Sequence, residues 1–174
     1  ESEAKKFEKE TASLKKKFPA LLLNFEKCKE WPEFSNWLAN VYGVFKDNQT
    51  PFIPEKNILA KRIAQCLHPQ LPHGVHLNAL GVYEIVFSNL GKSSKSWAED
   101  LAIFSIGLFP FFHYASFQVK PKIIEIYRNH YLPLGEQLTP CLPGLIVSIL
   151  QVWKNQIKTS EKRTCIFWRI SHHL

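Results

Sequence analysis

The densest group of side chains with metal-binding chemistry lies near the middle of the sequence. One cysteine and three histidines fall within eleven residues: Cys66, His68, His73 and His76. Thiolate and imidazole groups are common ligands of structural zinc, and four of them would complete a tetrahedral site. The spacing C-x-H-x4-H-x2-H matches no standard zinc finger, however, and Pro69 and Pro72 interrupt the segment. We therefore expect packing and capping roles for these groups, and we predict no metal and no other cofactor.

Two residues could be proposed as nucleophiles, Ser105 and Cys141. A catalytic serine needs a tight turn such as GxSxG, and either nucleophile needs a base held by an orienting acid. Neither residue lies in such a motif, and paired carboxylates are sparse throughout the chain. The sequence therefore predicts a protein that is not an enzyme.

The positive charge of the chain is unevenly distributed. The formal net charge is +7, and residues 154–174 contain five basic residues against one acid, Glu161. A basic stretch that also carries aromatic residues suits nucleic acid, so a basic nucleic-acid-binding helical protein is one alternative. No recognised nucleic-acid-binding module accompanies this stretch, and we expect no nucleic acid as a partner.

Helices must position all of these residues, because apolar side chains recur at steps of three and four and no segment alternates like a strand. The predicted helices cover 2–28 with an interruption near Pro19, a stretch from Glu30 to Phe45, 58–67, 75–87, 101–109 with a kink or break at Pro110, a stretch from Pro121, and 144–158. Short proline-rich turns separate them. The pattern predicts an all-α fold of helical hairpins stacked as an α-solenoid, similar to HEAT or armadillo repeats.

Two segments, 101–119 and 137–153, contain no Asp, Glu, Lys or Arg. Each approaches the length that a membrane-spanning helix needs, so an integral membrane hairpin is a second alternative. Prolines and polar residues interrupt both segments, and helices buried on nearly all sides of a solenoid have the same composition. We favour burial in a core.

The sequence has no methionine and starts at Glu1 with a charged stretch, so we expect a fragment without a signal peptide.

Several motifs in this chain are those of a known family. Residues 61–69 read KRIAQCLHP and residues 71–80 read LPHGVHLNAL, and GLFP at 107–110 and YLPLG at 131–135 follow in the same order. From Asn24 to Leu150 the sequence resembles the N-terminal region of Dopey proteins. We accordingly divide the chain into an N-terminal charged helix (1–23), a Dopey N-terminal-like helical domain (24–153) and a basic divergent tail (154–174).

The resemblance implies a function that composition does not. It implies a non-enzymatic peripheral-membrane scaffold in vesicle-mediated protein transport, on the cytosolic face of the trans-Golgi network and endosomes. The implied partners are a Mon-type HEAT-repeat scaffold protein and a type-four P-type ATPase flippase, and the family is also linked to kinesin and to phosphoinositide membranes.

The candidate interaction surface of such a scaffold is the segment in which charge, imidazoles and proline-fixed turns concentrate. Its members are Lys61, Arg62, His68, His73 and His76. The competing interpretation is that this segment only orients the two helices that it joins.

Overall fold

The computed structural model of the protein describes residues 2–91 and 97–151, and these residues form helices and turns without a β-strand. The helices are α1 (Ser2–Phe25), α2 (Trp31–Asp47), α3 (Lys56–Gln65), α4 (His73–Leu90), α5 (Trp97–Tyr114) and α6 (Lys120–Ile126). A π-helical turn (Tyr127–Tyr131) and a 3-10 segment (Leu132–Leu138) follow, and residues 142–151 form a last helix, α7. The predicted all-α class is confirmed.

Two prolines lie inside helices that continue past them. Helix α1 extends to Phe25 beyond Pro19, and α5 extends to Tyr114 beyond Pro110. The predicted interruption near Pro19 is therefore wrong. At Pro110 the prediction was a kink or a break, and the break is wrong. A helical proline leaves the carbonyl four residues earlier without its donor. Those carbonyls belong to Lys15 and Ile106, whose residues are exposed, so water can replace the missing donor while the buried side of each helix stays packed.

The start of α2 is fixed by its own side chains. Glu30 and Glu33 form a capping box, in which the backbone N–H of Glu30 donates to Glu33 Oε2 at 3.0 Å. Pro32 occupies the first turn, where a missing N–H costs nothing. The indole Nε1–H of Trp37 then donates to the carbonyl oxygen of Leu21 at 2.8 Å and joins α2 to α1.

Alternate helices lie side by side in two layers. Helices α2, α4 and α6 form one layer, and α1, α3 and α5 form the other. The two layers bury a continuous core between them, whose largest fully buried side chains include Tyr83, Tyr131, Phe18, Phe45, Phe87 and Phe104. Because each helix contacts mainly its neighbours in this arrangement, the packing is consistent with stacked helical hairpins.

Helix α5 approaches α3 closely at Gly107. A Cβ atom on Gly107 would lie 2.4 Å from Ala64 Cβ and 3.0 Å from the Tyr83 hydroxyl. The contact between α3 and α5 therefore depends on a residue without a side chain at this position.

The uncharged segment 101–119 is divided between α5 and the turn that follows it. Within α5, the buried side chains include Leu101, Phe104, Leu108 and Phe112, which pack into the core. Among the helices of residues 2–91 and 97–151, none is both long enough and apolar enough to cross a membrane.

Candidate interaction site

The five residues that the sequence indicates as an interaction surface lie where α3 ends and α4 begins. Lys61 and Arg62 belong to α3, His68 lies in the turn, and His73 and His76 belong to α4. Helix α3 ends at Gln65, and α4 begins at His73 directly after Pro72, which has an extended backbone (φ −60°, ψ 148°). Proline disfavours helix in the residue before it, so Pro69 and Pro72 keep His68 and Leu71 out of both helices. The five side chains differ sharply in their environment.

Arg62 holds α3 against α1. Its guanidinium forms an ion pair with Glu26, donates to Gln65 Oε1 at 3.0 Å and lies 5.0 Å from the centre of the Phe25 ring. A guanidinium fixed by an acid, an amide and an aromatic face has little freedom to reach a partner. Its contacts are therefore mainly structural.

His76 holds the turn itself together. Its side chain is buried, its Nε2–H donates to the carbonyl oxygen of His68 at 3.0 Å, and its ring packs edge-on against Phe111 at 4.8 Å. These contacts join the start of α4 to the preceding turn and to α5. At Arg62 and His76, the segment orients helices, as the competing interpretation states.

Lys61, His68 and His73 lie on the surface. Two imidazoles and one ammonium group at the ends of neighbouring helices can donate hydrogen bonds to an acidic or carbonyl-rich partner. The interaction surface stays a prediction, and its accessible part consists of these three residues.

The zinc constellation does not assemble in the described residues. Cys66 is buried, and burial, followed by the nearby Cys28, raises the pKa of its thiol to about 12. The His76 ring already donates a hydrogen bond to the carbonyl oxygen of His68 and packs against the Phe111 ring. No three His, Cys, Asp or Glu side chains in residues 2–91 and 97–151 are grouped so that they could hold a metal ion.

A second surface feature lies where α7 packs against α5. Phe109 of α5 fills the space beside Gly144, at which a Cβ would lie 2.6 Å from the Phe109 ring. Beside this contact the two helices leave an open groove of about 510 Å³. We call it the α5–α7 groove; its lining residues include Ala102, Ile106, Pro110, Pro143, Val147 and Gln151, and none of its twelve lining residues carries a charge.

Hydroxyl groups form the inner side of this groove. Ser105 Oγ donates to the carbonyl oxygen of Leu101 at 2.6 Å and lies 2.8 Å from the Tyr131 hydroxyl. Ser148 Oγ lies 3.1 Å from the Tyr127 hydroxyl. Burial raises the pKa of both tyrosines. These hydrogen bonds satisfy polar groups that would otherwise be buried without partners.

Neither candidate nucleophile is activated in this environment. Burial raises the pKa of the Cys141 thiol, whose Sγ lies 4.0 Å from Ser105 Oγ. The hydrogen-bond partners of Ser105 among the described residues are a carbonyl, a phenol and a thiol, and none of these is a general base near neutral pH. The arrangement stabilises the core and offers no mechanism for acyl transfer.

The α5–α7 groove was not predicted from the sequence. The signal that points to it is the pair of uncharged segments, 101–119 and 137–153, which contain more apolar residues than one packed face needs. These segments contact each other through α5 and α7, and their remaining apolar side chains form the groove. The alternative of nucleic-acid binding rests on residues 154–174, which lie outside the described part of the chain.

Sequence comparisons identify relatives over most of the chain. The sequence is 37% identical over 151 residues to Protein DOP1B of Mus musculus, which covers 86% of this chain and 6% of that protein. It is 41% identical over 150 residues to Protein pad-1 of Caenorhabditis briggsae, with 86% and 6% coverage, and 28% identical over 152 residues to Protein DOP1 of Saccharomyces cerevisiae, with 82% and 9% coverage. The chain thus spans less than a tenth of the length of these relatives. No solved structure matches the chain significantly.

A family model described as Dopey, N-terminal, matches residues 8–169. This match is longer at both ends than the stretch 24–150 over which the motifs resemble the family. Because it covers nearly the whole chain, and because relatives from animals and yeast align to the same region, this protein belongs to the Dopey family.

Proposed function

We propose that this chain is part of a non-enzymatic peripheral-membrane scaffold that acts in vesicle-mediated protein transport between the Golgi and endosomes. The observation that carries the proposal is the family match over residues 8–169. The proposed location is the cytosolic face of the trans-Golgi network and of endosomes. The proposed partners are a Mon-type HEAT-repeat scaffold and a type-four P-type ATPase flippase, with kinesin and phosphoinositide membranes as further contacts.

The fold supports a role in binding. Two layers of helices that pack side by side use their inner faces for the core and leave their outer faces and turns for other molecules. We propose that this arrangement is part of an α-solenoid, in which such outer surfaces are extended and repetitive. The buried serine and cysteine described above take part in core hydrogen bonds, which fits a role without catalysis.

Within this scaffold, we assign partner binding to the turn between α3 and α4 and to the helix ends on either side of it. Lys61, His68 and His73 are exposed there, and Arg62 and His76 fix the backbone that presents them. A surface held in one conformation loses little conformational entropy on binding, which favours recognition.

Coprecipitation of the Mon-type scaffold from cells tests this assignment. The triple variant Lys61→Ala, His68→Ala, His73→Ala should lose most of the coprecipitated scaffold, because all three side chains are exposed. His68 Nδ1 also accepts a hydrogen bond from the backbone N–H of Gln70 at 3.3 Å, so circular dichroism should first show that the variant keeps its helical fold. A matched control changes three exposed lysines of α1, with Lys5→Ala, Lys9→Ala and Lys16→Ala, and should keep binding. Equal binding by both variants would place the contact elsewhere on the chain.

Carbonate extraction of membranes tests the broader proposal. A peripheral scaffold is released at high pH, whereas an integral membrane protein remains with the lipid. Retention of the protein in the carbonate pellet, or failure to localise to Golgi and endosomal membranes, would contradict the proposed function whatever the result of the coprecipitation.

A further inference from the structure

The turn between α5 and α6, residues 115–119, presents an aromatic side chain to water. Phe117 is 83% exposed, more than any other large apolar side chain of the described residues, and Tyr114 at the end of α5 is 63% exposed. Both ends of the turn are anchored, because Ala115 and Val119 are buried in the core. Phe117 therefore projects from a turn that the fold holds in place, and water is an unfavourable environment for its ring.

The charge beside this turn is positive. The sequence from Leu101 to Ile124 contains no acidic residue. Lys120 follows the turn directly and forms no ion pair in residues 2–91 and 97–151. The first acid after the turn, Glu125, already lies 3.0 Å from the ammonium group of Lys122. Two exposed aromatic rings and one available ammonium group therefore lie close together in the sequence.

The neighbouring turns extend this surface. The Arg62–Glu26 ion pair and the contact of His76 with Phe111 place the α1–α2, α3–α4 and α5–α6 turns along one edge of the helices. Residues 26–33, 61–76 and 111–120 form this edge and contain five lysines or arginines against three glutamates. All three glutamates are engaged within the protein, one with Arg62 and two in the capping box of α2. The edge therefore favours contact with an anionic surface.

A lipid bilayer fits this combination of groups better than a protein does. Tyrosine is enriched at the membrane–water interface, and phenylalanine is common among residues that dip into it. Lysines beside such residues attract anionic lipid headgroups. A projecting ring can enter the fluid headgroup region directly, whereas a protein partner would need a pocket shaped to receive Phe117.

We propose that the α5–α6 turn inserts Phe117 into the headgroup region of an anionic bilayer, with Tyr114 beside it and Lys120 at the lipid phosphates. This inference rests on the proposed peripheral-membrane function and names the part of the chain that touches lipid. One aromatic turn gives weak and reversible binding, as a peripheral contact does. The α3–α4 turn lies on the same edge, so a partner bound there meets the same membrane.

Cosedimentation of the full chain with vesicles of phosphatidylcholine and phosphatidylserine tests the proposal. Phe117→Ser should lower the partition coefficient about fivefold to tenfold, because the ring no longer leaves water. Lys120→Gln should lower it about fivefold on these vesicles and should have no effect on vesicles of phosphatidylcholine alone. Residues 154–174, which are basic, are the same in every variant, so a difference in binding reports the turn.

The matched control removes an exposed apolar side chain at a distance from the turn. Leu132 is 64% exposed and lies beyond α6 and the π-helical turn. Leu132→Ser should bind vesicles like the original chain. Both substituted side chains are exposed, and circular dichroism should show the same helix content in both variants.

A fluorescent label next to Phe117 shows whether the turn itself enters the bilayer. Gln118→Cys carries a nitrobenzoxadiazole group in a chain whose thiols at Cys28 and Cys165 are replaced by serine, and the two remaining thiols are buried. Its emission should rise and shift to the blue on vesicles with phosphatidylserine, because the label leaves water. The same label at Gln137→Cys, an exposed position in the 3-10 segment, should stay unchanged.

Several outcomes would overturn the proposal. They are the absence of vesicle binding by the original chain, undiminished binding by Phe117→Ser, and equal responses of the labels at positions 118 and 137. Loss of the coprecipitated Mon-type scaffold in Phe117→Ser without loss of vesicle binding would assign the ring to a protein partner instead. The proposed function survives each of these results if the full chain is found on Golgi and endosomal membranes and carbonate releases it. Failure of that localisation overturns the proposed function whatever the vesicles show.

Discussion

The first and the last described helices present opposite surfaces. Helix α1, at one end, buries an apolar stripe of Leu14, Phe18, Leu21 and Phe25 against its neighbours, and its exposed residues include Lys5, Lys9 and Lys16. Helix α7, at the other end, buries Leu145 and Ser148. The large apolar residues that it leaves partly exposed are Leu142, Ile146, Val147, Ile149 and Leu150.

This difference shows that the described helices are polar at one end and apolar at the other. Helix α1 presents a mainly polar outer face. Helix α7 is apolar on all sides, a composition typical of a helix in an interior. We call α1 the polar end and α7 the open end of the described helices.

The largest effect is expected from disrupting the packing of the polar end. Phe18 is fully buried and packs edge-on against Phe45 with ring centres 6.0 Å apart. Phe18→Ala should lower the free energy of unfolding by about 3–5 kcal/mol, measured by urea denaturation with circular dichroism. Leu23→Ala, in the same helix but on its exposed side, is the control and should change little. A similar loss in both variants would mean that α1 is not anchored through this stripe.

A smaller effect is expected between the polar end and the open end, where α5 packs against α3. Gly107→Ala places a methyl group 2.4 Å from Ala64 Cβ and should cost about 1–3 kcal/mol of unfolding free energy. Gly81→Ala is the matched control within α4, where a Cβ meets nothing within 4 Å. That change should raise stability by about 0.5–1 kcal/mol, because alanine favours a helix over glycine. Thermal melts would show that Gly107→Ala lowers the melting temperature and that Gly81→Ala raises it. A Gly107→Ala variant that is more stable than the original chain would show that the two helices can move apart freely.

The hydrogen bond that joins α1 to α2 should contribute about 1 kcal/mol. Trp37→Phe removes the Nε1–H that donates to the Leu21 carbonyl oxygen but keeps an aromatic ring in the site. Amide hydrogen exchange should then increase mainly in α1. Trp31→Phe changes an exposed indole at the start of α2 and serves as the control. Uniform exchange across the chain in Trp37→Phe would argue against a local role for this bond.

The smallest effect on stability is expected at the open end. Ile149→Gln should change the free energy of unfolding by no more than about 0.5 kcal/mol, because the side chain is already partly exposed. The same change should reduce the binding of a hydrophobic dye such as ANS. Leu23→Gln, which alters an apolar side chain on the polar end, should leave dye binding unchanged. A large loss of stability in Ile149→Gln would mean that α7 is covered in the native chain.

Most helices could be predicted from the sequence because their signals are local. The stripe from Trp31 to Phe45 predicts α2, and Pro54 and Pro72 fix the starts of α3 and α4 within about two residues. Pro19 and Pro110 misled the prediction, because the cost of a helical proline depends on whether the unpaired carbonyl faces water. That property belongs to the assembled structure.

The candidate interaction site shows the same limit. Its location followed from prolines, charge and imidazoles, and in the structure these residues lie on the end of α3, in the turn and on the start of α4. The sequence could not separate Lys61, His68 and His73, which are exposed, from Arg62 and His76, which hold the turn. That separation depends on Phe25 of α1, on Glu26 in the turn after α1 and on Phe111 of α5, which lie far from this segment in the sequence.

The sequence by itself determined the helical class, the family and the order of the helices, because periodicity, capping residues and motifs act over a few neighbouring positions. Only the tertiary structure decided which helices pair within each layer, which side chain holds the turn and where apolar surface remains open. Those properties depend on contacts between residues that are far apart in the chain, such as Gly107 with Ala64 and Gly144 with Phe109.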